Sequence, residues 1–466
     1  MWIRYMVDIF KTVVEELLKN PNRKFVQTES AYLSYWWKQQ TEEEKDKFRH
    51  LVNNGQIEIV NGAWCSNDEA ATHYQSIIDQ FTLGHRFLED EFGECARTNI
   101  GWQVDTFGHS REQASLYAQM GIDGFLFARF HFEDLAKRKE NRTMDLLWIG
   151  SENLGVQESN IFTSMIYNHY SHPAGFCFDA NCGDPEIIDD ENDEGYNVEE
   201  RVNAFADYVR EQATHYTSNN ILVTMGDDFQ YTVASKNFGN IDKLIAGFEK
   251  FQPTMDDGTP ISILYSSPSC YAKSVNDYMI RTNGKLDVKY DDFFPHAHSV
   301  HEYWAGFFTS RPTSKRFERI GNNVLQIARQ LSGFANLAYN VNYDLEDAIG
   351  VMQHHDAITG TEREAVEQDY HRLIANGISK SVDNIEESLR KILNDDSLQL
   401  AYCPLANISI CAETKKDEFN IVLYNPLGRT VKQHVQVPVE GNSWTITDPE
   451  GNLEAVFILC TNKICI

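Results

Sequence analysis

The chain's 466 residues are about three times the ~150 of a single domain, so two or three domains with ample core are expected. Asp and Glu number 69 against 41 Lys and Arg, a formal charge of −28 that excludes nucleic acid or an anionic membrane surface as partner. Hydrophobic content of 42% with 12% aromatics excludes a disordered chain, and no apolar run approaches the ~20 residues that span a bilayer.

The opening run MWIRYMVDIFKTVVEELLKN carries acids in its first turns and no small-residue cleavage site, which reads against a signal peptide. Residues 8–20 have apolar positions at helical spacing and stop before Pro21. An extended run, KFVQTES, leads to two helical stretches ending near Gly55. QIEIV (56–60) is β-type, 73–91 helical, and NIGWQV (99–104) reads as a buried strand. Ser110-Arg-Glu-Gln113 has the form of a capping box opening a helix that Gly121 ends. GFLFA (124–128), ILVTMG (221–226) and ISILYSS (261–267) are further strand-like runs with helices between. Such alternation predicts a parallel sheet or barrel with helices outside and active residues at the strands' C-terminal ends. Residues 184–194 carry seven acids and read as a solvated loop, without the central Gly or the spacing of a calcium loop. Three helical segments follow at 313–340, 344–356 and 361–394, the pattern of a small helix bundle. Beyond Leu398, short alternating runs separated by Gly, Pro and Asn read as antiparallel β. The domains expected are thus 1–312, 313–396 and 397–466.

Nine cysteines include two pairs close in sequence, Cys177/Cys182 and Cys403/Cys411, which could close short loops. With two sequons, Asn141-Arg-Thr and Asn407-Ile-Ser, they favour an oxidising, secretory-type compartment over the cytosol.

Four segments carry chemistry. Asp105 in WQVDTFGHS falls just past a strand's end, where a carboxylate can point into a pocket; read alone, it is equally a turn residue. Asp227 and Asp228 in MGDDF repeat the arrangement, and adjacent acids repel unless a proton or cation offsets the charge, so one would hold its proton and could protonate a leaving group. A solvated acidic turn is the equal alternative. His354, His355 and Asp356 in QHHDAITGT offer imidazole and carboxylate donors of the kind zinc takes. His296, His298 and His301 in PHAHSVHEYW are a rival metal set. No G-x-S-x-G, G-x-G-x-x-G or phosphate loop is present.

Together, GWQVDTFGHSREQASLYAQMGIDGFLFAR, VTMGDDFQY, DDFFPHAHSVHEYWAGFFTSRP, VMQHHDAITGT and VLYNPLGR resemble the motifs of the class II α-mannosidases, glycoside hydrolase family 38, particularly the lysosomal branch. The similarity runs from about Lys24 to Gly451 with the motifs in order. It implies an α/β fold: a (β/α)7-type barrel catalytic domain, a three-helix middle domain and the start of an antiparallel β domain. It implies a zinc-dependent retaining exo-α-mannosidase acting on mannose-containing oligosaccharides in lysosomes. Asp105 takes the place of the nucleophile, which also coordinates zinc, and Asp228 that of the general acid/base. His355 takes the place of a zinc ligand and Asp356 of a sugar-binding acid. Phe107 and Arg129 match residues lining the mannose subsite, and Tyr170 in YNHYSHP matches a sugar-contacting tyrosine. The two Cys pairs stand at spacings that resemble the family's short-loop disulfides.

One departure is expected to matter. The family's first strand ends in His-x-Asp-x-x-Trp, which supplies two more zinc ligands, and no His occurs here before His50. On that reading the barrel lacks its first strand, the chain is shortened at both ends, and zinc keeps only Asp105 and His355. A non-catalytic glycan-binding remnant is therefore the competing expectation, with a metal-dependent carbohydrate deacetylase third. Linkage preference, and whether the chain forms a homo-oligomer, are left open.

Overall fold

The computed structural model describes residues 2–405, 409, 411–441, 443–448 and 450–454; Asn407, Cys460 and Cys465 lie outside them. The chain divides into two compact units, residues 1–322 with 343–377, and residues 323–342 with 378–466.

The first unit alternates helix and strand: α1 (Trp2–Leu17), β1 (Phe25–Gln27), α2 (Ser30–Trp37), α3 (Glu42–Asn53), β2 (Ile57–Ile59), α4 (Tyr74–Phe92), β3 (Ile100–Gln103), α5 (Arg111–Gln119), β4 (Gly124–Phe127), α6 (Phe132–Asn141), β5 (Asp145–Ile149), α7 (Val156–Ser159), β6 (Asn160–Met165) and β7 (Tyr167–Tyr170). Then come α8 (Val198–Ala213), α9 (Ala234–Phe251), α10 (Pro268–Thr282) and β8 (Asp287–Lys289). Two longer helices, α11 (Pro312–Phe334) and α13 (Glu364–Leu393), flank α12 (Tyr343–Met352). Local chemistry sets several boundaries. Thr41 caps α3 by accepting from the Glu44 amide at 3.3 Å while Glu44 accepts from the Thr41 amide at 3.2 Å, so two otherwise orphaned donors are satisfied reciprocally. Gly121, at φ +79°, ends the α5 segment in a conformation that a side chain disfavours.

β1 and β2 pair in parallel, and a five-stranded sheet runs in the order β3-β4-β6-β5-β8. The β3–β4, β4–β6 and β5–β8 ladders are parallel; β5 and β6 are antiparallel, so the sheet is mixed. A backbone bond from the Asn61 amide to the Ile100 carbonyl, 2.7 Å, links the end of the pair to β3. Among the described residues the ladders form no closed ring. The runs 221–226 and 261–267 keep the alternation expected of strands but enter no ladder. Ile221, Val223 and Met225, with Ile261, Ile263 and Tyr265, pack at every second position on a core of Val202, Phe205, Leu244 and Phe248. Backbone acceptors there go elsewhere: the Leu222 carbonyl to Gln212 Nε2 at 2.8 Å and the Gly226 carbonyl to the His172 amide at 3.1 Å. Hydrophobic burial thus sets the extended shape without strand pairing.

Aromatic residues fill the sheet's core, with Phe125, Phe127 and Trp148 fully buried. A second core joins Phe10, Val13 and Leu17 of α1 to Leu33, Trp36 and Trp37 of α2 and Phe48 of α3. Gly321 of α11 lies against Ile349 of α12 and Ile374 of α13, so the three helices meet where the absence of a Cβ lets them approach. The acidic loop 184–194 is clamped by one stripe of α9: Lys236 pairs with Glu186, Lys243 with Asp189 and Lys250 with Glu191. Cys177 and Cys182 are disulfide-bonded beside it.

In the second unit Cys403 and Cys411 form a disulfide, Tyr424 Oη donates to Gln330 Oε1 at 2.7 Å, and Asn384 Nδ2 donates to the Val341 carbonyl at 2.8 Å. Its residues beyond Leu398 hold turns and extended stretches, with a bridge between Thr447 and Leu453, where antiparallel strands are expected. Ile421, Val422, Leu423 and Leu453 are exposed there, and strands without a second layer to bury their apolar face have little to hold them paired.

Candidate active site

The side chains that matter extend from the C-terminal ends of strands and from the turn after α12. Asp105 follows β3 by two residues, Arg129 follows β4 by two, and Tyr170 ends β7. The turn after β3 is anchored from within. Ser110 caps α5 by accepting from the Glu112 amide at 3.1 Å. The other half of the expected capping box is absent: Gln113 Oε1 instead accepts from Asn67 Nδ2 at 3.0 Å, and the Ser110 amide donates to Glu69 Oε2 at 2.7 Å.

Both oxygens of Asp105 are engaged. Arg129 donates through Nε to Oδ1 at 2.6 Å and also reaches it through Nη2. His355 Nε2 stands 3.3 Å from Oδ2, and its Nδ1 is 2.8 Å from the Ser66 carbonyl, which places the Nδ1 proton and aims Nε2 at the carboxylate. Burial alone would raise the pKa of Asp105; His355 and Arg129 outweigh it and hold the group down to about 2. His355, for which burial works the other way, is carried up to about 9 chiefly by its bond to Asp105. The opposite holds at Asp228, in the turn beyond residues 221–226: burial first, then the charges of Asp105 and Asp227, raise its pKa. Tyr170 is pushed up by burial and then by Asp105 and Asp228.

A cavity of about 500 Å³ opens beside Asp105, within the range of small-molecule sites (~300–1,000 Å³). Phe107, Arg129 and Asp356, all expected from the sequence, line it with Asp105. Phe107 is edge-on to Trp304 at 5.1 Å and to Phe307 at 5.3 Å, and the Arg129 guanidinium lies 5.0 Å from the centre of the Trp304 ring. Asp356 Oδ1 accepts from Thr361 Oγ1 at 2.7 Å on another wall. Asp228 and Tyr170 are not among the residues lining this cavity; the charge of Asp105 acts on both.

Tyr303, Trp304, Phe307 and Thr361 also line the cavity, although sequence reasoning assigned them no role. The signal was the aromatic density of HEYWAGFF, a stretch read for the family resemblance and for His301. The three histidines of PHAHSVHEYW do not converge. His296 is buried with Nδ1 2.8 Å from the Phe130 carbonyl and its ring against Trp304, whereas His298 and His301 are exposed, so the rival metal set is set aside. Among the described residues, His354, His355 and Asp356 do bring ligand atoms within 4.8 Å of one another.

Two solved structures show the fold class. An alpha-mannosidase from Enterococcus faecalis V583 is similar with a TM-score of 0.63 at 16% identity, over 84% of this chain and 40% of that one. A glycosyl hydrolase family 38 protein from Enterococcus faecalis is similar with a TM-score of 0.58 at 14% identity, over 84% and 38%. The α/β architecture is that of these hydrolases.

The sequence goes further. Residues 3–299 match the glycosyl hydrolases family 38 N-terminal domain and residues 302–392 the alpha mannosidase middle domain, so the chain belongs to family 38. It is 41% identical over 458 residues to the lysosomal alpha-mannosidase of Cavia porcellus, covering 97% of this chain and 44% of that protein. It is 40% identical over 457 residues to that of Homo sapiens, covering 96% and 44%. The chain spans less than half the length of these relatives.

Proposed function

We infer that the chain acts as a retaining exo-α-mannosidase on terminal α-linked mannose of N-glycan-type oligosaccharides, in a lysosomal setting like that of its relatives. The observation that carries this reading is the pair of carboxyls pushed in opposite directions, Asp105 down to about 2 in the wall of an aromatic-lined cavity and Asp228, off that wall, upward in the field of Asp105.

The mechanism follows from that pair. Asp105 attacks the anomeric carbon while Asp228 gives its proton to the departing glycosidic oxygen, leaving a mannosyl ester on Asp105. Asp228, now a carboxylate, takes a proton from water, whose oxygen attacks the same carbon and frees Asp105. Two inversions retain the configuration. Arg129 fixes the nucleophile's orientation through Oδ1. Trp304 and Phe307 offer apolar faces to the sugar's C–H surface, and Asp356 accepts from its hydroxyls, with Tyr170 on the side of Asp228.

Zinc fits this site in kind but not in number. Asp105 Oδ2 and His355 Nε2 share one point, and His355 is oriented through Ser66 as metal-bound imidazoles are. Two donors are fewer than the three protein ligands of an ordinary catalytic zinc. These two residues would hold the ion, and no step above is routed through it. The same shortfall, with both Asp105 oxygens occupied by protein groups, favours a second reading: a glycan-binding site without turnover. Hydrolysis of 4-nitrophenyl α-mannoside at pH 5, with NMR of the first-formed anomer and metal analysis of the purified chain, separates the two. Release of α-mannose supports the first reading, and saturable mannoside binding without release supports the second.

A further inference from the structure

The turn that displays Asp228 is held in a conformation that ordinary side chains avoid, and a buried carboxylate outside the cavity holds it. Phe229 and Tyr231 both have left-handed backbone, at φ 59° and 68°, on either side of Gln230. Non-glycine residues keep such geometry only where their surroundings over-determine it. Those surroundings converge on Asp179, which is completely buried in the loop closed by Cys177–Cys182. Its Oδ2 accepts from the Tyr231 amide at 2.7 Å and from Asn237 Nδ2 of α9 at 3.3 Å. Its Oδ1 accepts from the Asn181 amide at 2.9 Å and from Asn181 Nδ2 at 3.1 Å, which ties the carboxylate to its own loop. Gln230, buried between the strained residues, donates through Nε2 to Cys177 Sγ at 3.2 Å. From the opposite side Thr12 Oγ1 of α1 donates to the Tyr231 carbonyl at 2.9 Å, and Tyr231 Oη closes the turn on the Met225 carbonyl at 2.6 Å.

We propose that Asp179 is a positioning residue for the general acid: it fixes the 227–231 turn so that the Asp228 carboxyl faces Asp105 across the sugar. The inference rests on the mannosidase reading for the role of Asp228. Asp179 itself touches no reacting atom. An amide donating to a carboxylate is a charge-assisted bond, about twice as strong as one to a neutral acceptor, and it is made to the one residue in the turn whose φ is furthest from ordinary. Without it the turn can relax toward negative φ at Tyr231, which swings the preceding residues, Asp228 included.

The test compares two substrates in the full chain. Dinitrophenolate leaves without a proton, so 2,4-dinitrophenyl α-mannoside reports nucleophilic attack, whereas α-linked mannobiose needs the acid. Asp179→Ala should lower kcat/KM on mannobiose by about 100-fold, the lower end of what a lost general acid costs, with kcat/KM on the dinitrophenyl mannoside, which reports ester formation alone, little changed. Asp179→Asn keeps an acceptor for the Tyr231 amide and should recover most of that loss. Equal losses of kcat/KM on both substrates overturn the proposal, because they mark general damage to the site. Amide hydrogen exchange gives a second arm that needs no turnover. Peptides covering 225–233 should exchange faster in Asp179→Ala while those covering 100–112 stay as in the parent, and unchanged exchange at 225–233 overturns the proposal. A parent chain that cleaves neither substrate refutes the mannosidase reading, and the exchange arm still decides whether Asp179 holds the turn.

Discussion

The side chains of Glu69 and His109, neither exposed to solvent, meet at 2.9 Å next to the turn that carries Asp105. Burial pushes the His109 pKa down to about 3 and the Glu69 pKa up, each shift disfavouring the charged form of its group. Glu69 also takes the Ser110 amide at 2.7 Å and Gln103 Nε2 at 3.3 Å, and His109 stacks on Phe127 at 4.0 Å. One side chain thereby fixes both ends of the 103–110 turn.

Removing that support should be costly. Glu69→Ala leaves the His109 ring nitrogen and the Ser110 amide without their partner in a dry core, while Gln103 Nε2 keeps the Asn67 carbonyl at 2.8 Å, and a loss of roughly 3 kcal/mol is expected from unpaired buried polar groups. Glu69→Gln keeps one carbonyl acceptor, enough for the Ser110 amide, and sets an NH2 donor opposite His109 Nδ1, so it should lose less than Glu69→Ala. Urea unfolding at constant m-value checks both.

Stability should also depend on pH through Asp145. This carboxyl is buried beneath Tyr271, whose Oη is 3.1 Å from its Oδ1, and burial raises its pKa from 3.8 to about 6. An acid with a raised folded pKa binds its proton more tightly in the folded state. Its contribution is therefore full below about pH 4 and lost as pH rises through about 6. A shift of that size corresponds to roughly 3 kcal/mol between the two limits. Asp145→Asn should remove this slope, so that its stability relative to the parent chain improves between pH 4 and 7 in paired thermal melts. A constant difference across that range would contradict the assignment.

Activity should fall on the alkaline side for a separate reason. Asp105 is ionised above about pH 2, and Asp228 must keep its proton, so kcat/KM for an unactivated mannoside should decline as pH passes the raised pKa of Asp228. Asp228→Asn should lower the rate by at least about 100-fold and abolish that limb. A limb that persists in the variant belongs to another group.

The approach of α4 to the segment before it gives a structural test. A Cβ on Gly84 would stand 2.1 Å from the Gly62 carbonyl oxygen and 2.7 Å from the Ala63 carbonyl carbon, backbone atoms that cannot swing aside. Gly84→Ala should destabilise the chain by roughly 3 kcal/mol despite its gain in helix propensity, measured as a drop in the urea midpoint.

How much of this was legible in the sequence depends on how local the signal is. Asp105, Phe107, Arg129, His355 and Asp356 sit in compact motifs, and the structure gathers them at one cavity, or against it for His355. The period-2 pattern of 221–226 and 261–267 foretold burial at every second residue but not ladder membership, since pairing depends on what lies alongside. Glu69, Asp145 and Asp179 were unreadable for a similar reason: a buried acid looks like any other until partners 40 to 126 residues away fold onto it. His296, His298 and His301 stayed a rival set in the sequence because close spacing alone does not tell convergence, and only His296 turns inward. The acidic run 184–194 was read as solvated, and the lysines that balance it are spaced by sevens along a helix 50 residues on.

The mannosidase reading requires that a carboxylate oxygen of Asp105 attack the sugar. Incubating the chain with 5-fluoro-α-mannosyl fluoride, whose fluorines speed formation of a glycosyl ester over its hydrolysis, and mapping the product by peptide mass spectrometry tests this directly. One added 5-fluoromannosyl mass is expected on the peptide containing Asp105, with fluoride from C1 as the leaving group, and none in Asp105→Ala. Label on a different carboxylate, or an unlabelled chain that still turns over mannoside, would contradict it.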